Sequence, residues 1–140
     1  MEAKELMIGD WAQSPDLKRP AQYSGRFSDH KPLNGEKYRR LEFLYEDENC
    51  GMHIPEKRVY PIPLTEEILK KNGFTDVGDC IYQNEEQCCG VELNTFMFYV
   101  YENDYDNDNC HDVAQVFSVH QLQHALRLVG FDELADNLKV

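Results

Sequence analysis

The chain has 140 residues, with 14 Lys and Arg against 26 Asp and Glu and a formal net charge of −12 at pH 7. That length is the common size of one domain and buries roughly two-thirds of the surface an unfolded chain exposes, so a core is expected without disulfide or metal staples. No run of about 18 apolar residues is present and charges interrupt the opening MEAKELMIGDW, so neither a membrane span nor a secretory leader is expected and the expected address is cytoplasmic.

In chain order, Leu6 to Ala12 (LMIGDWA) predicts a short strand entering a Gly-Asp turn, and Tyr38 to Tyr45 (YRRLEFLY) predicts a second strand from its β-forming residues and partial alternation. Residues 13–37 between them are rich in Pro, Gly, Ser and Asp, which predicts an irregular excursion. Val59 to Leu64 (VYPIPL) cannot be a central strand, because Pro61 and Pro63 lack donors; a surface connector is expected. A two-turn helix follows. Thr65 is placed to cap it, Glu66 and Glu67 meet the positive end of its dipole, Lys70 and Lys71 the negative end, and Gly73 stops it.

Beyond it, Cys80 to Gln83 is followed by a turn-rich NEEQCCG. Thr95 to Tyr101 (TFMFYVY) and Val113 to Phe117 then read as a hairpin joined by a long polar loop. The last long helix begins at Ser118, where Gln121 would complete a capping box and Phe117 with Leu122 a hydrophobic staple. Val119, Leu122, Leu126 and Val129 repeat at helical spacing, Gly130 stops the helix, and a short helix from Asp132 closes the chain. The pattern predicts an α+β fold: a small, mostly antiparallel sheet or barrel-like core, a short middle helix, and a C-terminal helix packed on it. One domain over 1–140 is expected, with a β-rich part over 1–62 and the helix, hairpin and C-terminal helices in 63–140.

Charge is unevenly placed. Residues 1–40 hold eight bases and six acids, whereas 41–140 hold six bases and twenty acids. A field of that sign repels phosphate, so direct nucleic-acid binding is not expected; it leaves open binding to a basic protein partner, and such a surface also serves solubility alone. Five cysteines (50, 80, 88, 89, 110) make an odd number with no C-x-x-C, which reads as reduced thiols.

The segment ENDYDNDNCHD (102–112) packs five carboxylates beside Cys110 and His111. Asp104, Asp106 and Asp108 match the first half of a calcium loop, and with His111 they are the metal candidates. The second half of that motif is missing: Asn109 stands where the sharp turn needs glycine, and Gln115 where a bidentate Glu belongs. Asn and Asp also suit a hairpin tip for conformational reasons alone. His120 and His124 have zinc-gripping spacing, but the helical wheel turns them away from the apolar stripe, and neither Gln121 nor Leu122 can serve as the base of a zinc protease. No nucleophile elbow, P-loop or dinucleotide fingerprint is present, and Cys88 and Cys89 lie beside Glu85 and Glu86, a setting that raises a thiol pKa. No catalytic residue and no cofactor are expected.

ELMIGDW near the start, YPIPLTEEILKKNGF in the middle and SVHQLQHALRLVGFDEL near the end together resemble a family of small proteins carried by prophages and mobile elements of gut anaerobic bacteria. The resemblance implies an accessory, cytoplasmic protein acting by binding; that family has no established activity to carry over. Three readings follow. The first is a non-enzymatic interaction module. The second is an acidic inhibitor that imitates DNA on a basic host protein, using Glu42, Glu46, Asp47, Glu48 and the 102–112 loop. The third is a metal-dependent enzyme using the loop carboxylates with His111. For partner binding the candidate residues are Glu46, Asp47, Glu48, Glu102, Asp104, Asp106 and Asp108.

Overall fold

A computed structural model describes residues 1, 3–45, 47–48, 50–102 and 109–140. The fold is α+β, with two antiparallel sheets and a few short helices, and the chain divides into two compact units, 1–62 and 63–140.

The first unit is a four-stranded meander of β1 (Trp11–Ala12), β2 (Ala21–His30), β3 (Tyr38–Leu44) and β4 (Met52–Pro55), in that order across the sheet. Its strongest departure from the sequence reading is β2, a ten-residue strand inside the stretch expected to be irregular. Ala21 and Tyr23 begin it as a normal alternating strand, both buried, with Tyr23 opposite Phe43 and their rings 5.8 Å apart. The register then slips between Tyr23 and Phe27, with Gly25 at φ +85°. Between those pairs β2 has two residues more than β3, an irregularity that the left-handed glycine accommodates, and beyond Ser24 burial no longer alternates along the strand. Pairing resumes at Phe27 with Leu41 and runs to His30 with Tyr38. There Arg39 donates through Nε to Asp29 at 3.0 Å and lies over the Phe27 ring, and that hydrogen bond is the main reason the Asp29 carboxyl is held below its ordinary range.

The core of this unit gathers Leu41, Phe43, Ile54 and Val59 under the sheet. Before β1, residues 6–10 form a turn instead of the predicted strand, because Asp10, fully buried, accepts from the Met7 amide at 2.7 Å. The connector after Arg58 is not confined to the surface either. Val59, Ile62 and Leu64 are buried while Tyr60, Pro61 and Pro63 are exposed, so prolines excluded from ladder pairing still present alternate apolar residues inward.

The second unit begins with α1 (Glu66–Lys71), capped as predicted: Thr65 Oγ1 accepts from the Ile68 amide at 3.4 Å and Gly73 takes φ +82°. Five strands follow in sequential order: β5 (Thr75–Gly78), β6 (Ile81–Asn84), β7 (Cys89–Glu92), β8 (Met97–Tyr101) and β9 (Cys110–Gln115), leaving β5 and β9 as the edges. The expected hairpin is the β8–β9 pair, with its second strand starting three residues earlier than the pattern indicated. β5 and β7 escape a sequence reading because each is four residues long and β5 is exposed along its whole length.

Two helices close the unit, α2 (Val119–Leu128) and α3 (Asp132–Asp136). Val119, Leu122 and Leu126 are buried as the wheel requires, and α2 contacts both β9 and α3. His120, expected to face solvent, is 6% exposed, and Gln123 is fully buried with Nε2 donating to the Ala135 carbonyl at 3.1 Å. The wheel sees only the stripe that packs on the sheet: α3 folds back after Gly130 and covers α2 at Gln123, and His120 is held beside Ser118 and His124 at the helix start, so at 100° per residue the buried arc spans about 220°. The helix start also differs. Ser118 makes no side-chain cap and instead pairs with His120 Nδ1 at 2.9 Å, Gln121 Oε1 accepts from the Phe117 amide, and the half-exposed Phe117 ring lies 5.1 Å from Phe96.

Candidate functional site

Segregated charge is the main electrostatic feature. Residues 1–62 carry ten Lys and Arg against eleven Asp and Glu, a balance of −1, whereas 63–140 carry four against fifteen, a balance of −11. Burial neutralises little of it. Among the described residues of the second unit, Glu67, Asp76, Asp79, Glu85, Glu86, Glu102, Asp112, Asp132 and Glu133 are exposed and meet no basic side chain, while Glu66 lies 3.5 Å from Lys70 and Asp136 3.0 Å from Arg127.

Three segments of this unit surround a cleft of about 540 Å³. The first is the end of α1. Asn72 donates through Nδ2 to the Ile68 and Lys139 carbonyls, each at 2.7 Å, and accepts from the Lys139 amide, which pins the C-terminal residues to the helix. The second is the β6–β7 turn, where Asn84 Oδ1 accepts from the Gln87 amide at 3.1 Å and projects Glu85 and Glu86 outward. Gly130 through Asn137 supply the third, with Phe131 half-buried and Glu133 exposed. Asn84, only 6% exposed, lies deepest of the named polar groups.

The predicted residues are scattered by comparison. Asp104, Asp106, Asp108 and Glu46 lie outside the described residues. His111 is exposed on β9 opposite Val100, and Gln115, at the calcium motif's twelfth position, is built into the same strand and donates to the Thr95 carbonyl. Among the described residues no three His, Cys, Asp or Glu side chains are grouped to hold a metal ion. Asp47 is ion-paired with Arg19, whose guanidinium lies over Tyr45; Glu48 is exposed, and Glu102 is exposed at the end of β8. Glu42 is not a surface charge. Its side chain is 12% exposed, accepts from Ser24 Oγ at 2.6 Å and lies within 4 Å of Arg26 and His53.

None of the five cysteines is in a disulfide: Cys50 and Cys80 are exposed, Cys88 and Cys110 half-buried, Cys89 buried. Burial, more than the neighbouring Cys88, pushes the Cys89 thiol up to about 12, which leaves it protonated and a poor nucleophile. The Asn72–Asn84–Phe131 cleft was missed because it joins residues from three distant segments. A strand-ending Asn followed by two Glu was its one local trace.

Among the described residues, no helix is long and apolar enough to cross a membrane. No family model, no curated protein and no solved structure matches this chain.

Proposed function

We propose that the protein is a non-enzymatic binding module whose 63–140 unit engages a basic protein. The observation that supports this is the concentration of unpaired, exposed carboxylates in one compact unit with a balance of −11, beside a unit near neutrality. Such a field raises the encounter rate with a cationic partner and repels nucleic acid. The setting drawn from the resemblance, an accessory cytoplasmic protein of a mobile element, accords with a role exercised by binding, and a basic host protein is a suitable target in it.

Immobilised protein, exposed to a lysate at low salt, retains proteins of basic composition and releases them at about 1 M salt, where the Debye length is about 3 Å. A variant carrying Glu85→Gln, Glu86→Gln, Asp132→Asn and Glu133→Gln retains less. Equal retention by the variant, or retention indifferent to salt, rejects the reading.

A further inference from the structure

We propose that Asn34, in the connection between β2 and β3, is a site of spontaneous deamidation driven by the backbone of Gly35, and that the fold shields the chain's other Asn-Gly pair, Asn72 with Gly73, from the same reaction. The sequence contains these two Asn-Gly pairs and no others. Glycine after asparagine favours the step, because no side chain covers its nitrogen or restricts the rotation that brings it to the neighbouring amide carbon.

The two pairs differ in what holds the asparagine. Asn34 and Gly35 are exposed between β2 and β3, and among the described residues the Asn34 side chain has no hydrogen-bond partner. Asn72 is tied at both atoms of its amide: Nδ2 donates to the Ile68 and Lys139 carbonyls and Oδ1 accepts from the Lys139 amide, each at 2.7 Å. The attacking nitrogen there is committed as well, since the Gly73 amide donates to the Lys70 carbonyl at 3.3 Å and the residue is set at φ +82° at the end of α1. Those bonds must open before Asn72 can react, whereas at Asn34 only a surface turn has to flex.

The chemistry needs water and a base alone. The Gly35 nitrogen gives up its proton and bonds to Asn34 Cγ; the Cγ–Nδ2 bond breaks, and the departing nitrogen takes up a proton and leaves as ammonia. Water then adds to either carbonyl of the five-membered imide and opens it to an aspartyl or an isoaspartyl linkage. Either product sets a carboxylate between Lys31 and Lys37, so residues 31–37, with two Lys and one Glu, fall from +1 to zero. The isoaspartyl form also lengthens the backbone of the turn.

The test is incubation of the full-length protein at pH 6 and pH 8, native and in denaturing urea, followed by peptide mass mapping that separates aspartyl from isoaspartyl products. In the native protein Asn34 converts, faster at pH 8 and with isoaspartyl product present. Asn72 converts about a hundredfold more slowly, the effect of three hydrogen bonds on the open population. In urea the two rates come together. An Asn34 amide that stays intact in the native protein, or native rates that are equal at Asn34 and Asn72, overturns the proposal. So does an aspartyl product without the isoaspartyl form, which would mean direct hydrolysis of the side-chain amide.

Discussion

The Tyr82 hydroxyl donates to Glu66 Oε2 at 2.7 Å, tying the first turn of α1 to the second strand of the five-stranded sheet. That bond, more than burial, pushes the Tyr82 phenol up to about 12, and it is the main reason the Glu66 carboxyl is held below its ordinary range. The two shifts act at opposite ends of the pH scale. The raised phenol contributes stability that is complete below about pH 10, the ordinary tyrosine value, and is lost as pH rises from there through about 12. The lowered carboxyl contributes stability present above the ordinary glutamate value and lost as pH falls through its folded value. Tyr82→Phe should therefore melt at a lower temperature at pH 7, with the difference narrowing at both extremes. Identical melting curves at pH 7 would show that the bond holds nothing.

Thiol reactivity should follow burial. At pH 8, iodoacetamide is expected to label Cys50 and Cys80 first and Cys89 last, as read by peptide mass mapping. Since the folded Cys89 pKa is raised from about 9 to about 12, the fold also loses stability as pH climbs through that window, because the unfolded chain releases the proton first. Labelling of Cys89 as fast as Cys50 would place it at the surface.

Leu126 is fully buried on α2, and Leu126→Ala should cost about 2 to 5 kcal/mol in denaturant melts. Gln123→Leu keeps the volume but leaves the Ala135 carbonyl without its donor, and should cost about 1 to 3 kcal/mol. A neutral Gln123→Leu would mean that this bond does not hold α3 against α2.

Gly25→Ala tests the bulge that hid β2. Alanine there is strained at φ +85°, and its Cβ would come 2.6 Å from Ile8 Cγ1. The expected loss is about 1 to 3 kcal/mol, and an unaltered melt would refute the bulge geometry.

These positions also show where sequence patterns carry structure and where they stop. The Thr65 cap, the α1 charges and the Val119–Leu122–Leu126 stripe were legible because each signal is local and repeats within a few residues. β2 was not, since one glycine interrupts its period, and β5 has no buried face to impose one. Gln123 is buried because α3 covers α2 from beyond a turn, and His120 because Ser118 and His124 hold it at the helix start, neither of which a wheel can show. The candidate site was less legible than the fold. Its acidity was visible in composition, while its deepest group, Asn84, gains meaning only from Gly73 and Phe131 lying across the same cleft.

Among the described residues the five-stranded sheet ends in two rims, β5 and β9, and the residues at them bear on self-association. An unpaired strand is a template for any other strand, including one from a second copy of this chain. Asp76 and exposed Asp79 mark one rim and Asp112 the other, so two copies meeting edge to edge would bring like charges into contact across a hydrogen-bonded ladder. These carboxylates thereby act as gatekeepers against fibre-like growth, and uncharged residues at those three positions would remove that protection.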